Sequence, residues 1–465
     1  MFRGKVQRIH FVGIGGAGMS GIAEVLITMG YEVTGSDLKE GAAVQALRAL
    51  GGTVHIGHDP VFVAGADVVV KSTAIPPRNV EIVTAEKLQI PVIPRAEMLG
   101  ELMRMKYGVA VAGTHGKTTT TSMLARCLHG GGLDPTIVIG GRLDAIGSSA
   151  RLGQGEFIVA EADESDGSFL QLDPTVAVIT NIDPEHMEHW GSTANLLDGF
   201  AEFANKVPFF GFVTLCLDHP NVQRLIPRLN RRFISYGMSP QAEVHAVDLR
   251  FDGFESVCTV ARGRNVLGDI RLQMPGRHNL SNALAAVATS LELGIPFASI
   301  QQALDGFSGV DRRFTLRAEV SIDADAEPVT IVDDYGHHPT EIAATLRGAR
   351  AAWPRRRVHA VFQPHRYTRV RDLFEDFAGC FHQAEQVVVC PVYRAGEKPI
   401  EGIDHHHLAQ AIRDHGHRGV TVVEDLSGAT AHLAQEVEPG DIVITLGAGN
   451  VNQVCAPLAE ALRVR

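Results

Sequence analysis

The chain has no pair of cysteines in C-x-x-C spacing. Its six cysteines, Cys127, Cys216, Cys258, Cys380, Cys390 and Cys455, stand far apart. That argues against a zinc or disulfide framework and for reduced, buried thiols in a cytoplasmic protein. No stretch approaches the roughly 18 consecutive apolar residues of a membrane-spanning helix, and no signal-type apolar run is present near the start. A soluble protein of the cell interior is expected, with no membrane partner. Positive charge is in deficit: 42 Lys and Arg against 53 Asp and Glu leave a net charge of -11. That speaks against non-specific nucleic-acid binding while leaving room for a local basic pocket. Repeats at solenoid spacing and low-complexity tracts are missing as well.

What is present is an ordinary globular composition, 45% hydrophobic and 20% charged, over 465 residues. At roughly 150 residues per domain this length suggests three domains. Short strand-like runs alternate with helical patterns, which implies parallel sheets flanked by helices. Arg8–Gly13, Tyr31–Gly35 and Asp67–Ser72 read as strands, and Ala17–Met29 and Ala96–Lys106 as helices. Phe157–Ala162 and Val176–Asn181 are strands of the middle third, followed by a β-rich stretch from Glu243 to Gln273 and a helix over Asn279–Leu293. Ser308-Gly309-Val310 looks like a linker, after which Val329–Asp334, Val358–Phe362, Val387–Pro391, Val420–Glu424 and Asp441–Leu446 restart the strand series. Three consecutive α/β domains are expected, over residues 1–106, 107–309 and 310–465.

The most informative segment runs from Val109 to Thr120, VAVAGTHGKTTT. A small apolar strand ends in a glycine turn, and Lys and Thr then open a helix. Such a turn aims the backbone N–H groups of Gly113, Thr114, His115 and Gly116 at one spot, where the helix dipole also favours negative charge. Lys117 adds a cation for the outer phosphates, Thr118 a hydroxyl for Mg²⁺, and Thr119 continues the turn. The segment reads as a triphosphate cradle, although Val111 stands where the strict G-x-x-x-x-G-K-[ST] pattern wants glycine. A plain strand–turn–helix with a surface lysine is the simpler alternative.

Near the start, HFVGIGGAGMSG (His10–Gly21) satisfies G-x-G-x-x-G between a strand and a helix, and Asp37 follows about 20 residues later, where a ribose-binding acid would sit. A pyrophosphate is expected on that helix N-terminus; NAD and a nucleotide-sugar diphosphate meet the need equally well, and a ligand-free structural turn stays open. EADESDG (Glu161–Gly167) follows a strand, where carboxylates could hold Mg²⁺ beside the phosphate loop, or could be a solvated acidic loop. NIDPEHMEH (Asn181–His189) ends the next strand, with His186 either structural or a metal or substrate ligand. In the last third, DDYGHHP (Asp333–Pro339) and QPHRYTR (Gln363–Arg369) terminate neighbouring strands and define a cleft edge or two solvated loops; Arg is suited to carboxylate and phosphate. His405, His406 and His407, with His415 and His417, are expected to be exposed, with adventitious metal binding as their consequence.

These blocks, in this order, closely resemble the Mur ligases of bacterial cell-wall synthesis, and within them the branch acting first on the sugar nucleotide. The resemblance covers essentially the whole chain. Its most specific parts are HFVGIGGAGMSGIA, GTHGKTTTT, EADESDGSF, TNIDPEHMEHW, GRHNLSNALAA, GVDRRF, DDYGHHPTEI and QPHRYTR. The family's shortened phosphate loop accounts for Val111, and sister ligases lack the DDYGHHPTE form. The resemblance implies a Rossmann-like first domain, a central phosphate-loop domain with a mixed sheet, and a Rossmann-like last domain. The first would hold a UDP-sugar diphosphate on Gly13, Gly15, Gly16, Ala17, Gly18 and Met19, with Ser36, Asp37, Ser72 and Thr73 as further contacts. The second would hold ATP, with Lys117 on the phosphates, Thr118 and Glu161 on one Mg²⁺, Glu161 and His186 on a second, and His278, Asn279 and Asn282 on the adenine side. Arg313 and Asp334 would approach the nucleotide, and Tyr335, His337, His365, Arg366 and Arg369 the amino acid.

The implied activity joins L-alanine to the lactyl carboxylate of UDP-N-acetylmuramate with ATP, in a monomer or weak homodimer. Sister ligases carry a carbamylated lysine after the metal-binding histidine; here Lys206 alone is available, too far along, so none is expected. The rivals are a recycling ligase that attaches a whole tripeptide to the same sugar, an NAD-dependent oxidoreductase on the first fingerprint alone, and a non-catalytic nucleotide-binding regulator.

Overall fold

In the computed structural model, residues 6–72, 74–143 and 148–465 are described. The chain divides into two compact units, one of Met1–Asp248, Cys258–Ile270 and Ser281–Asp305, the other of Leu249–Val257, Arg271–Leu280 and Gly306–Arg465.

The first unit holds two sheets. Strands β1 (Arg8–Val12), β2 (Glu32–Asp37), β3 (Thr53–Ile56), β4 (Val68–Lys71) and β5 (Val92–Pro94) form a parallel sheet in the order β3-β2-β1-β4-β5. Because β2 lies on one side of β1 and β4 on the other, the winding reverses there, which opens a crevice at the strands' C-terminal ends. The glycine turn after β1 and Ser72 after β4 stand at its mouth.

The second sheet begins with β6 (Tyr107–Ala112), β7 (Thr136–Leu143), β8 (Ser148–Arg151), β9 (Phe157–Glu161), β10 (Val176–Ile179), β11 (Phe212–Cys216) and β12 (Phe233–Gly237), ordered β12-β11-β10-β6-β9-β7-β8. Only the β7–β8 pair among these is antiparallel. The phosphate-loop strand β6 therefore sits between β9 and β10, with Val111 beside Glu161 and Ala112 beside Ile179. Phe169, Phe200 and Phe203, all fully buried, pack with Trp190 behind the acidic loop; each phenylalanine contributes on the order of 2–3 kcal/mol through burial. The β-rich stretch becomes β13 (Val244–Asp252), β14 (Glu255–Arg262) and β15 (Asn265–Leu272), whose residues are divided between the units.

In the second unit, β16 (Thr315–Val320), β17 (Val329–Asp334), β18 (Val358–Phe362), β19 (Gln386–Val389), β20 (Val420–Val422) and β21 (Ile442–Leu446) take the order β16-β17-β21-β18-β19-β20, parallel except for β16. Successive side chains serve opposite faces: Val332, Ile442 and Ile444 join one core, Ile331 and Val443 the other. All six cysteines are free and buried, as expected. His417, expected to be exposed, is not: it is 7% exposed, with Nε2 3.0 Å from the Ala384 carbonyl and Nδ1 accepting from Gly419 N at 3.3 Å. The left-handed Gly416 turns the chain inward there. His406, His407 and His415 are exposed, and His405 is half-buried. Among the described residues no helix is long and apolar enough to cross a membrane.

Candidate functional site

Val109 to Ala112 are completely buried, so the strand leading into the phosphate loop is fixed on both faces. Two loop positions admit only glycine. Gly113 and Gly116 have φ of +132° and +80°, and a Cβ there would lie 2.1 Å from Thr180 Oγ1 and 2.5 Å from Asn282 Oδ1. The loop is stitched to the turn after β10: His115 N donates to Asn181 Oδ1 at 2.7 Å, while Asn181 Nδ2 and Thr180 Oγ1 donate to the His115 carbonyl at 2.9 and 2.7 Å. Asp183 N donates to Thr114 Oγ1 at 2.9 Å. Asp183 also lies 3.3 Å from His115 Nε2 and 3.2 Å from His219 Nε2. Burial raises its pKa, but the two histidines outweigh that and hold the carboxyl well below the usual range.

Lys117 opens the helix Lys117–Gly130. Its Nζ donates to the carbonyls of Gly113 (2.7 Å) and Thr114 (3.2 Å) and to Glu164 Oε1 and Oε2 (3.1 and 2.9 Å). Burial lowers the lysine pKa, but the carboxylates of Glu164, Asp163 and Glu161 raise it further, so the ammonium is a standing charge. Thr118 is half-buried in the same turn and Thr119 is buried. Glu161 ends β9. His186, left-handed at φ +57°, stands in the turn after β10 with Glu185 and Glu188 at 3.9 and 3.7 Å. Phosphate loop, Glu161 and His186 thus come from three adjacent parallel strands, all at the C-terminal edge. Lys206 donates through Nζ to the Leu170 carbonyl and lies 3.8 Å from Asp173.

In the glycine turn after β1, Gly13 and Ile14 donate to the Ser36 carbonyl at 2.9 and 3.0 Å, and Gly15 N donates to Asp37 Oδ2 at 2.8 Å. Asp37 therefore shapes the turn itself. Ser36 is fully buried and donates to Glu81 Oε2 at 2.8 Å, in a cluster where Glu81 also bonds His10 and His58 at 2.8 Å each. Burial raises the Glu81 pKa, but His10, Ser36 and His58 outweigh it and keep the carboxyl below its ordinary value. The helix Ala17–Thr28 starts at Gly16 without a side-chain cap. A cavity of about 300 Å³ runs from Gly16, Gly18, Met19 and Ser72 to Lys117 and Glu161, so the glycine turn and phosphate loop open onto one space. Thr73 lies outside the described residues.

In the second unit, Asp334 ends β17 and accepts from Phe314 N and Gly336 N at 2.8 and 2.7 Å; burial pushes its carboxyl up to about 6. The Arg313 guanidinium lies 5.3 Å from the Tyr335 ring centroid and 3.4 Å from Glu341. His337 contacts Tyr335 and faces His365, ring centroids 6.1 Å apart. His365 stacks on Tyr393, and Arg369 Nη1 comes within 3.4 Å of His365 Nδ1. Burial, then the charges of His337, Arg369 and Arg366, push the His365 imidazole down to about 4. Arg366 is exposed at φ +67°. The two polar loops do meet, although the strands they terminate are not the neighbours expected: β21 lies between β17 and β18, and the loops reach each other across its end. His278, pushed down to about 4 by burial and then by Arg347, belongs to this unit, as does Asn279, whose Nδ2 donates to the Pro275 carbonyl at 2.8 Å. Asn282 belongs to the first unit, against Gly116.

Sequence reasoning passed over Glu164, the partner of Lys117, although it lies inside the acidic block it singled out. His219 and Glu81 gave no signal, since each is an isolated residue brought in by the fold. Arg95, which lines the cavity, follows β5 directly, and its place at a strand end was the one clue.

The chain matches the family models for the Mur ligase family, catalytic domain, over residues 8–107, the Mur ligase middle domain over 111–290, and the Mur ligase, glutamate ligase domain, over 312–449. It is 56% identical to the UDP-N-acetylmuramate–L-alanine ligase of Geobacter sp. (strain M21), across 97% of this chain and 96% of that one. The crystal structure of the UDP-N-acetylmuramate–alanine ligase of Thermotoga maritima superposes with a TM-score of 0.81 at 28% identity, covering 98% and 99% of the two chains. A murein peptide ligase from Psychrobacter arcticus shares the fold, with a TM-score of 0.69 at 23% identity over 98% and 99%. With three models matched in order and over half of its sequence shared with a full-length relative, the chain belongs to the Mur ligase family.

Proposed function

We propose that this protein joins L-alanine to the lactyl carboxylate of UDP-N-acetylmuramate at the expense of ATP, in bacterial cell-wall synthesis inside the cell. The single observation that carries the reading is the cavity shared by a diphosphate-type glycine turn and a phosphate loop. It gives a carboxylate and the phosphoryl donor that activates it one place to meet. Identity of 56% to a relative of that name favours alanine over a tripeptide, and the fold similarity to a murein peptide ligase carries no substrate information. Residues 1–106 would serve the UDP-sugar, 107–309 ATP, and 310–465 the amino acid and nucleotide.

A carboxylate is a poor electrophile. Attack of the lactyl oxygen on the γ-phosphorus forms a C–O–P bond and releases ADP. The alanine amine then attacks the acyl carbon, loses a proton, and the C–O bond breaks to release phosphate. The first step brings anions together, so fixed cations dominate. Lys117, already charged and held at the loop, reaches the β- and γ-oxygens when Glu164 yields it. Thr114 N and His115 N already donate to Asn181, so the N–H groups of Gly116 and of the first helical turn at Lys117 are left to donate to the remaining phosphate oxygens. Arg313 is assigned to the nucleotide, and Arg366 and Arg369 to the alanine carboxylate, fixing where its amine points.

The donor set at the strand ends suits Mg²⁺: the Thr118 hydroxyl and Glu161 carboxylate are hard oxygens, and the His186 imidazole with Glu161 would take a second ion. Bound there, Mg²⁺ would supply charge neutralisation on the transferring phosphoryl group.

Phosphate release from ATP, assayed with UDP-N-acetylmuramate and either L-alanine or the L-Ala-γ-D-Glu-diaminopimelate tripeptide, tests the reading. Release that requires free alanine and yields a UDP-N-acetylmuramoyl-alanine mass is expected; release with tripeptide alone would move the protein to the recycling branch.

A further inference from the structure

We propose that Arg95 is a substrate-binding residue whose guanidinium, together with the N-terminus of helix Ala17–Thr28, holds the pyrophosphate of the nucleotide sugar. This rests on the functional reading above and names a residue that reading does not use. Arg95 is the first residue of helix Arg95–Arg104, directly after β5, and lines the cavity with Gly16, Gly18 and Lys117. A cation in a first helical turn opposes the helix dipole, so helix stability does not favour it there.

Its surroundings explain the choice. A Cβ on Gly18 would lie 3.1 Å from Arg95 Nη1 and 3.2 Å from its Cδ. The absent side chain thus lets the guanidinium cover the start of the helix, which has no side-chain cap. Two positive groups, a helix N-terminus and a guanidinium, converge on one cavity, and the arrangement is favourable when an anion lies between them. The acid facing Arg95 is Asp163, at 3.9 Å, and both side chains are partly solvated. Such a pair contributes little to stability, which leaves the fork available for ligand. Asp163 feels both Lys117 and Arg95, but Lys117 is held by Glu164 and the phosphate-loop carbonyls while Arg95 lies over the glycine turn; each cation thus serves the anion of its own loop, Lys117 the ATP phosphates and Arg95 the pyrophosphate.

The test is calorimetric titration of UDP and of UDP-N-acetylmuramate into the wild type, Arg95→Ala and Arg95→Lys, with steady-state KM values alongside. Both ligands carry the pyrophosphate and only one carries the carboxylate. For Arg95→Ala we expect both affinities to fall by the same factor, about 10–100-fold, with KM for ATP and alanine within twofold of wild type and partial recovery in Arg95→Lys. Gly18→Ala, which displaces the guanidinium, should weaken UDP in the same direction. Unchanged UDP affinity in folded Arg95→Ala overturns the proposal, as does a loss confined to the sugar nucleotide, which would assign Arg95 to the carboxylate instead. Wild-type protein that binds UDP but never ligates alanine would sink the functional reading while leaving the Arg95 result legible.

Discussion

Lys117, which lines the cavity, pairs with Glu164 at 2.9 Å, and the side chain of Glu164 is only 3% exposed. Deleting the lysine removes the cation proposed for the phosphates and leaves that carboxylate buried without its Lys117 partner. Lys117→Ala should therefore lose about 10³-fold in turnover and about 1–3 kcal/mol of stability. The double variant Lys117→Ala/Glu164→Gln separates the two effects: thermal melts should return toward wild type while phosphate release stays low. A second residue-level consequence concerns acid. The folded state holds His278 at about 4 against an ordinary 6.5, so the unfolded chain binds a proton that the folded chain refuses. Stability present above pH 6.5 is lost as pH falls toward 4, at most roughly 3 kcal/mol from this group. Asp334, held at about 6, acts in the opposite sense, favouring the folded state as pH falls through 6. Urea midpoints at pH 5 and pH 7.5 should lie closer together in His278→Gln than in wild type; an unchanged gap would rule out the burial account.

At the scale of elements, the phosphate loop was legible because strand, glycines, lysine and hydroxyl lie in one short stretch. Its conformation also makes a sharp prediction. Gly116→Ala puts a methyl at φ +80° and 2.5 Å from Asn282 Oδ1; we expect about 1–3 kcal/mol of destabilisation and a raised KM for ATP, read by melting and initial rates. Strands β17 (VTIVDD) and β18 (VHAVF) were read with their observed bounds, because a strand buried on both faces shows as a short, mostly apolar, β-branched run, even with Thr330, Asp333, Asp334 and His359 buried in it. Strand β16 was missed: as a sheet edge it carries Arg317 and Glu319 and has little apolar signal. The β7–β8 hairpin was missed too, since Gly140 and Gly141 dilute its pattern. Ser36 illustrates a different limit. The family resemblance implied a ligand contact for Ser36, in β2, while its burial against Glu81 depends on residues far away in sequence that no local pattern reveals.

For the whole molecule, the proposed reaction brings two anions together under locally fixed positive charge, in a protein whose net charge is -11. The proposed Mg²⁺ roles of Thr118, Glu161 and His186 predict that EDTA stops phosphate release and excess Mg²⁺ restores it, whereas full rate in chelator would contradict them. The most direct test of the central claim is the fate of oxygen. UDP-N-acetylmuramate labelled with ¹⁸O in its lactyl carboxylate should, on ligation of L-alanine, transfer one labelled oxygen to the released phosphate, as attack on the γ-phosphorus and later C–O cleavage require. Ligation that leaves all phosphate unlabelled would contradict an acyl phosphate formed in this cavity.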